Sequence, residues 1–167
     1  MDINICKVKS PADIDSVVTL AQDIWRQHFP PIIGMSQVEY MLEKFQSTEA
    51  IVLQLQNGTE YFFATLDNEP VGYTALVPDM VNSKMMISKL YVRQSSRGIG
   101  IGSRLLGFIE GRCRKKGLDK LWLTVNRFNY DPIGWYLGKG FVIADEVKMD
   151  IGSGYIMDDY IMEKVID

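Results

Sequence analysis

Three observations predict a mixed α/β (α+β) fold. Helical and strand periodicities alternate along the 167 residues. Two of the strand patterns are separated by a turn short enough for a hairpin. An apolar run, Met85-Met86-Ile87-Ser88-Lys89-Leu90-Tyr91-Val92, leads into the glycine-rich loop Arg97-Gly98-Ile99-Gly100-Ile101-Gly102, and a helical pattern leads out of it. The length suits one sizeable core and is too short for two, so residues 1–167 are expected to form a single domain.

Residues Asn4 to Val8 alternate as a short strand. Ser10 then has the place of an N-cap with Pro11 at the first helical position, and Ile14, Val17, Ala21, Ile24 and Trp25 recur at helical spacing. This helix is expected to end near His28, because Phe29-Pro30-Pro31 does not let it continue. Ser36-Gln37-Val38-Glu39 has the form of a capping box, and Val38, Met41, Leu42 and Phe45 mark the buried stripe of a second helix. Thr48 to Gln56 suits either a strand turning at Asn57-Gly58 or a third helix capped by Thr48 and stopped by Gly58. Ser47-Thr48-Glu49-Ala50 is the better helix entry, so helix is the reading taken.

From Glu60 the pattern becomes sheet. Tyr61 to Leu66, a turn at Asp67-Asn68-Glu69-Pro70, and Val71 to Val77 form a hairpin, with Lys84 to Val92 pairing as the next strand. A long helix from Ile101 buries Ile101, Leu105, Phe108, Ile109 and Cys113. Its basic end, Arg112-Cys113-Arg114-Lys115-Lys116, is a solvated last turn closed by Gly117. A strand over Lys120 to Val125, a short helix around Pro132 to Gly138, and a closing antiparallel pair, Phe141 to Lys148 with Tyr155 to Lys164, complete the chain.

Composition excludes several roles. No apolar run approaches the eighteen or so residues of a membrane span, and the first residues lack the basic-then-apolar pattern of a secretory signal, so a cytoplasmic protein is expected. A net charge of −3 argues against nucleic acid as a partner. Cys6 and Cys113 lie far apart in apolar patterns and read as reduced core residues, and a single histidine, His28, makes a metal site unexpected.

The glycine loop has the form of a pyrophosphate cradle. Glycine lets a phosphate approach the main chain, and the following helix offers first-turn N–H groups and its positive dipole end. A dinucleotide fold needs G-x-G-x-x-G, and the third glycine here falls at the wrong place. A nucleoside-triphosphate loop needs lysine before its Ser or Thr, and Gly102-Ser103-Arg104 has none. What remains is R-x-x-G-x-G at Arg97, Gly100 and Gly102, or a glycine-rich helix entry with no ligand.

That hexapeptide resembles the coenzyme A motif of the GNAT superfamily of N-acetyltransferases. A second motif, N-x6-Y-x3-G-F, follows at Asn129, Tyr136, Gly140 and Phe141, after the strand Leu121-Trp122-Leu123-Thr124-Val125. The resemblance is close from about Lys84 to Lys164 and rests only on element order before that. It implies a mixed central sheet with helices on both faces, splayed between the strands at Lys84–Val92 and Lys120–Val125, and acetyl-CoA as co-substrate without a metal. It further implies that the main chain of Leu90, Tyr91 and Val92 meets the thioester, and that Arg97, Gly98, Ile99, Gly100, Ile101, Gly102 and Ser103 hold the phosphates. Asn129 would lie along the pantetheine, with Asn126 as its alternate, and Tyr136 would protonate the leaving thiolate.

Moving an acetyl group to an amine also needs a proton acceptor, since an alkylammonium has a pKa of about 10. Protein N-terminal acetyltransferases of the superfamily often carry a glutamate where this chain has Thr124, so direct transfer to a carboxylate on that strand is excluded. A water wire or the substrate's own deprotonated fraction could serve instead, and His28 is a further candidate, against a role packed beside Trp25 at the helix end. Substrate selection is implied for Trp25 to Phe45 and for the last hairpin. There Glu39, Glu43, Asp158 and Asp159 would form an acidic rim for a cationic amine, unless the paired aspartates merely keep an edge strand soluble. The expected protein is a monomeric or homodimeric N-acetyltransferase acting on a primary amine of a small molecule, with a polyamine as a candidate. The alternatives are a protein N-terminal or lysine acetyltransferase and a non-catalytic acetyl-CoA-binding module.

Overall fold

The computed structural model describes residues 2–167. Its elements run β1 (Ile3–Lys7), α1 (Pro11–His28), α2 (Pro30–Ile33), α3 (Met35–Gln46), α4 (Thr48–Gln56), β2 (Glu60–Leu66), β3 (Glu69–Asp79) and β4 (Lys84–Val92). They continue through α5 (Ile101–Lys115), β5 (Lys120–Asn126), α6 (Tyr130–Gly138), β6 (Val142–Gly152) and β7 (Tyr155–Val165). Hydrogen bonding orders the strands β1-β2-β3-β4-β5-β7-β6, a mixed sheet. The chain divides into two compact units. One holds the chain through Pro78 with Ser88–Ile109, and the other holds Asp79–Ile87 with Glu110–Asp167.

In the first unit, local chemistry sets most helix ends. The Ser10 hydroxyl accepts from the Asp13 N–H and the Asp13 carboxylate accepts from the Ser10 N–H, a reciprocal cap that starts α1 at Pro11. The prolines after Phe29 end α1 as expected, yet they open a single helical turn of their own, α2, since proline suits a first turn where no N–H is needed. The capping box expected at Ser36 is not formed. Gly34, at φ 82°, lets α3 begin at Met35, so Ser36 is already helical and Glu39 pairs with Arg26 at 2.7 Å. Residues 48–56 are helical, capped by the Ser47 hydroxyl rather than Thr48. The turn after β2 is tighter than read: Asp67 and Asn68 alone, both left-handed, make it.

The sheet of this unit is covered on both faces. Ala64 and Val71 pack with Ile101 and Leu105 of α5 in one buried cluster, and Phe62 meets Phe108 edge-on at 4.8 Å. Alternate residues point the other way. Tyr73 donates to Gln46 of α3 at 2.9 Å, and Trp25 of α1 lies edge-on to Tyr91 at 5.7 Å.

Lys89 is on that second face and is buried. Its ammonium donates to the Phe45 carbonyl, to Gln54 and to the Tyr61 hydroxyl, tying β4 to the end of α3 and to α4. Burial pushes its pKa down to about 7. The unfolded chain keeps this proton up to about pH 10.4, so between the two values unfolding takes up a proton and stability rises with pH. The unfolding free energy from urea titration is expected to rise by about 1–2 kcal/mol between pH 7 and 9, and Lys89→Met to remove that slope. An identical slope in the variant would assign it to other groups.

In the second unit, β5 pairs in parallel with β4 over three residue pairs, Lys84↔Lys120 to Met86↔Trp122, although both strands are longer. The main chain of Leu90–Val92 lies outside that register. On its other side β5 pairs antiparallel with β7, and β6 closes the sheet as the edge strand. Lys164 of β7 meets Glu110 of α5 at 2.7 Å, and Cys113 is buried in the same helix. Cys6 is only half-buried in β1, which departs from its expected core position, and both thiols are free. Among the described residues no helix is long and apolar enough to cross a membrane.

Candidate functional site

The first unit carries the glycine loop. β4 gives way to one 3-10 turn, Gln94–Ser96, and then to Gly98 and Gly100 at φ 83° and 89°, a left-handed conformation that an L side chain resists. A Cβ built at either glycine meets no protein atom within 4 Å. The loop thus leaves open space in front of its main chain. The Arg104 N–H bonds the Gly100 carbonyl at 2.9 Å, which fixes Ile101, Gly102 and Ser103 as the first turn of α5, where N–H groups point along the axis. Arg97 is not a loose surface charge: its Nε donates to the Val92 carbonyl at 3.0 Å and holds the loop against the strand it leaves. Ile99 is exposed. This donor set, open and preceded by an arginine, fits a diphosphate.

The end of β4 is held from two sides. A Cβ at Gly72 would lie 2.9 Å from the Tyr91 carbonyl oxygen, so β3 can approach β4 there only as glycine. On the helical side Trp25 stacks on Phe29 at 4.2 Å, and Phe29 and Tyr73 both contact the Tyr91 ring. Trp25 is buried and thereby fixes Tyr91, while the half-buried His28 ring packs edge-on to Phe29 at 4.8 Å. Glu39 is engaged by Arg26, and Glu43 is exposed. Phe29 and Tyr73 had no sequence signal, since their contact with Tyr91 joins three separate elements.

The second unit carries the other motif. The Asn126 side chain accepts from the Phe128 N–H at 2.9 Å, while Asn129, buried, stands at the head of α6 without its side chain capping the helix. Tyr136 is buried between the rings of Trp135 and Phe141, both edge-on, at 5.1 and 5.2 Å. Gly140, at φ 95°, ends α6, and its missing Cβ makes room for Lys164. The fully buried Phe141 then leads into β6.

The two aspartates of β7 differ sharply. Asp158 pairs with Arg127 at 2.8 Å, and Arg127 also reaches Glu146 at 3.4 Å. Asp159 is 3% exposed and opposite Asn126, and Thr124 donates a side-chain hydrogen bond to it. Burial first, and then the charge of Asp158, push its carboxyl up to about 6. Because β7 lies between β5 and β6, neither aspartate serves an edge strand, and that expectation is corrected. The sequence did not reveal Arg127 or Thr124 as their partners. Among the described residues no cluster of His, Cys, Asp and Glu is arranged to hold a metal.

The first unit thus carries a loop that fits a diphosphate at the end of β4, and the second unit carries a buried tyrosine and asparagine after β5. Residues 18–141 match the Acetyltransferase (GNAT) family, and the chain belongs to that family. It is an enzyme, an N-acetyltransferase. A spermidine N(1)-acetyltransferase of Thermoplasma acidophilum is 25% identical over 163 residues, covering 95% of this chain and 97% of its own length. A PaiA N-acetyltransferase of Thermoplasma acidophilum, solved with coenzyme A, superposes with a TM-score of 0.83 at 25% identity over 99% of each chain. The ribosomal-protein-S18-alanine N-acetyltransferase of Escherichia coli shares the fold, with a TM-score of 0.74 at 16% identity over 99% of this chain and 94% of its own.

Proposed function

We propose that the protein, as one catalytic domain over residues 1–167, transfers the acetyl group of acetyl-CoA to a primary amine of a small molecule, with polyamines as the favoured class. The observation that carries the reading is the loop at Gly98–Ser103. Its open main chain beside a helix N-terminus suits the coenzyme's diphosphate, with Arg97 adding charge at the mouth. The coenzyme supplies the activated thioester. Main-chain groups of Leu90, Tyr91 and Val92 orient it, Asn129 hydrogen-bonds its pantetheine arm, and the Tyr136 hydroxyl gives a proton to the departing sulfur.

Support for a small amine comes from the near full-length likeness to a spermidine N(1)-acetyltransferase and from Thr124, which puts no carboxylate at its position on β5. The likeness to the ribosomal-protein-S18-alanine N-acetyltransferase is one of fold. Of the four acids proposed to attract a cation, Glu39 and Asp158 are already neutralised by arginines and Asp159 is buried, so Glu43 is the one that adds exposed, unshared charge.

Thiol release with acetyl-CoA across polyamines, neutral-tailed monoamines, amino acids and peptides tests the reading. Polyamines are expected to show the highest kcat/KM, and added salt to narrow their advantage, because exposed charges are screened within about 10 Å at 0.1 M. Turnover confined to peptides would move the protein to the protein-acetylating class. Binding of acetyl-CoA without turnover of any amine would make it a binding module.

A further inference from the structure

An alkylammonium acceptor has to lose a proton before it attacks, and the groups described so far leave that proton without a destination. His28 is packed against Phe29, Glu39 and Asp158 are held by arginines, Glu43 lies on the exposed face of α3, and Lys89 is spent on Phe45, Gln54 and Tyr61. Asp159 is the one buried carboxylate among the described residues.

We propose that Asp159 is the general base of the acetyl transfer, with Thr124 as its positioning residue. The inference rests on the acetyltransferase reading above. The strand register carries it: Asp159 stands opposite Asn126, so its side chain shares a sheet face with Asn126 and, two residues back along β5, Thr124. The Thr124 hydroxyl donates to the carboxylate and aims it. β5 itself has no acid to offer there. Asp159 thus supplies the carboxylate from the neighbouring strand.

The surroundings tune it as a base. Along β7 the adjacent charge is Asp158, which points to the other face yet raises the carboxyl, and the nearby cation Arg127 is taken up by Asp158 and Glu146. On β5 the facing groups are Thr124 and Asn126, both neutral. On β6 the partner of Asp159 is the apolar Val147, with Lys148 opposite Asp158 instead. Poorly solvated and unpaired with a cation, the carboxylate is ionised at neutral pH yet more basic than an exposed aspartate.

Asp159 takes a proton from the ammonium, directly or through one water, and passes it to solvent. The freed amine forms the C–N bond as the C–S bond breaks. Tyr136 protonates the sulfur and recovers a proton from the nitrogen. Of the two protons the ammonium loses, one ends on the coenzyme thiol and one in solvent.

The test is kcat against pH for wild type, Asp159→Asn and Thr124→Val, each with an alkylamine and with aminoacetonitrile, which is already neutral at pH 7. Wild-type kcat for the alkylamine is expected to fall below about pH 6. Asp159→Asn, which keeps the shape of the side chain, is expected to lose roughly 100- to 10,000-fold with the alkylamine, and to recover steadily as pH rises. With aminoacetonitrile the loss is expected to stay within tenfold. Thr124→Val removes a hydrogen bond that favours the ionised form, so its acid limb is expected to move upward. Equal losses with both amines, a kcat for Asp159→Asn within threefold of wild type, or an unmoved limb in Thr124→Val would overturn the assignment. A folded wild type that binds acetyl-CoA yet acetylates no amine would overturn the transferase reading beneath it.

Discussion

Gly100→Glu is expected to abolish the rise in melting temperature that acetyl-CoA produces, and to raise its Kd by at least about 100-fold, or roughly 2.7 kcal/mol. Two effects need separating. Gly100 sits at φ 89°, so any side chain there costs about 1 kcal/mol of backbone strain. The Cβ itself meets no protein atom within 4 Å, so a side chain would occupy the space in front of the loop rather than disturb the fold. Gly100→Ala carries the same strain without the charge and is expected to weaken binding about tenfold or less. The difference between alanine and glutamate therefore measures the added bulk and charge of a carboxylate placed where the diphosphate belongs. Stabilisation of the wild type by NAD or ATP, and not by coenzyme A, would assign the loop to another nucleotide.

Tyr136→Phe is expected to lower kcat by roughly 10- to 1000-fold, while the Kd of acetyl-CoA changes by less than about threefold. The ring packs edge-on against both Trp135 and Phe141, and phenylalanine preserves those contacts. Its melting temperature should therefore stay close to that of wild type, which separates a chemical role from a packing one. An acid that protonates the leaving sulfur acts in the transition state, so kcat and kcat/KM should fall together. An unchanged kcat would leave Tyr136 as the residue that seals α6 onto the sheet.

How much was legible in the sequence follows from how far each signal reaches. The Ser10-Pro11 start of α1 was legible because the cap is made within four residues. The second helix start was misread for the same reason in reverse. Ser36 and Glu39 have the spacing of a capping box, but Gly34 starts the helix earlier and Arg26, thirteen residues away, takes Glu39. Thr48 and Ser47 differ by one position, and only the hydrogen bond to Ala50 decides between them.

The glycine loop and the N-x6-Y-x3-G-F motif were legible as patterns, because conformational demands at Gly98, Gly100 and Gly140 act on single residues. The roles of Asp158 and Asp159 were not. As neighbours on a strand they point to opposite faces, and what each face contains depends on strands far away in the chain. The sequence by itself determined the order of elements apart from the single turn α2, the phosphate-type loop and the family it resembles, all carried by local periodicity, caps and glycine. The tertiary structure alone decided that Arg127 neutralises Asp158, that β7 is internal, and that Asp159 is buried beside Thr124. Strand register brings those groups together through hydrogen bonds between distant segments, and burial then sets their charge.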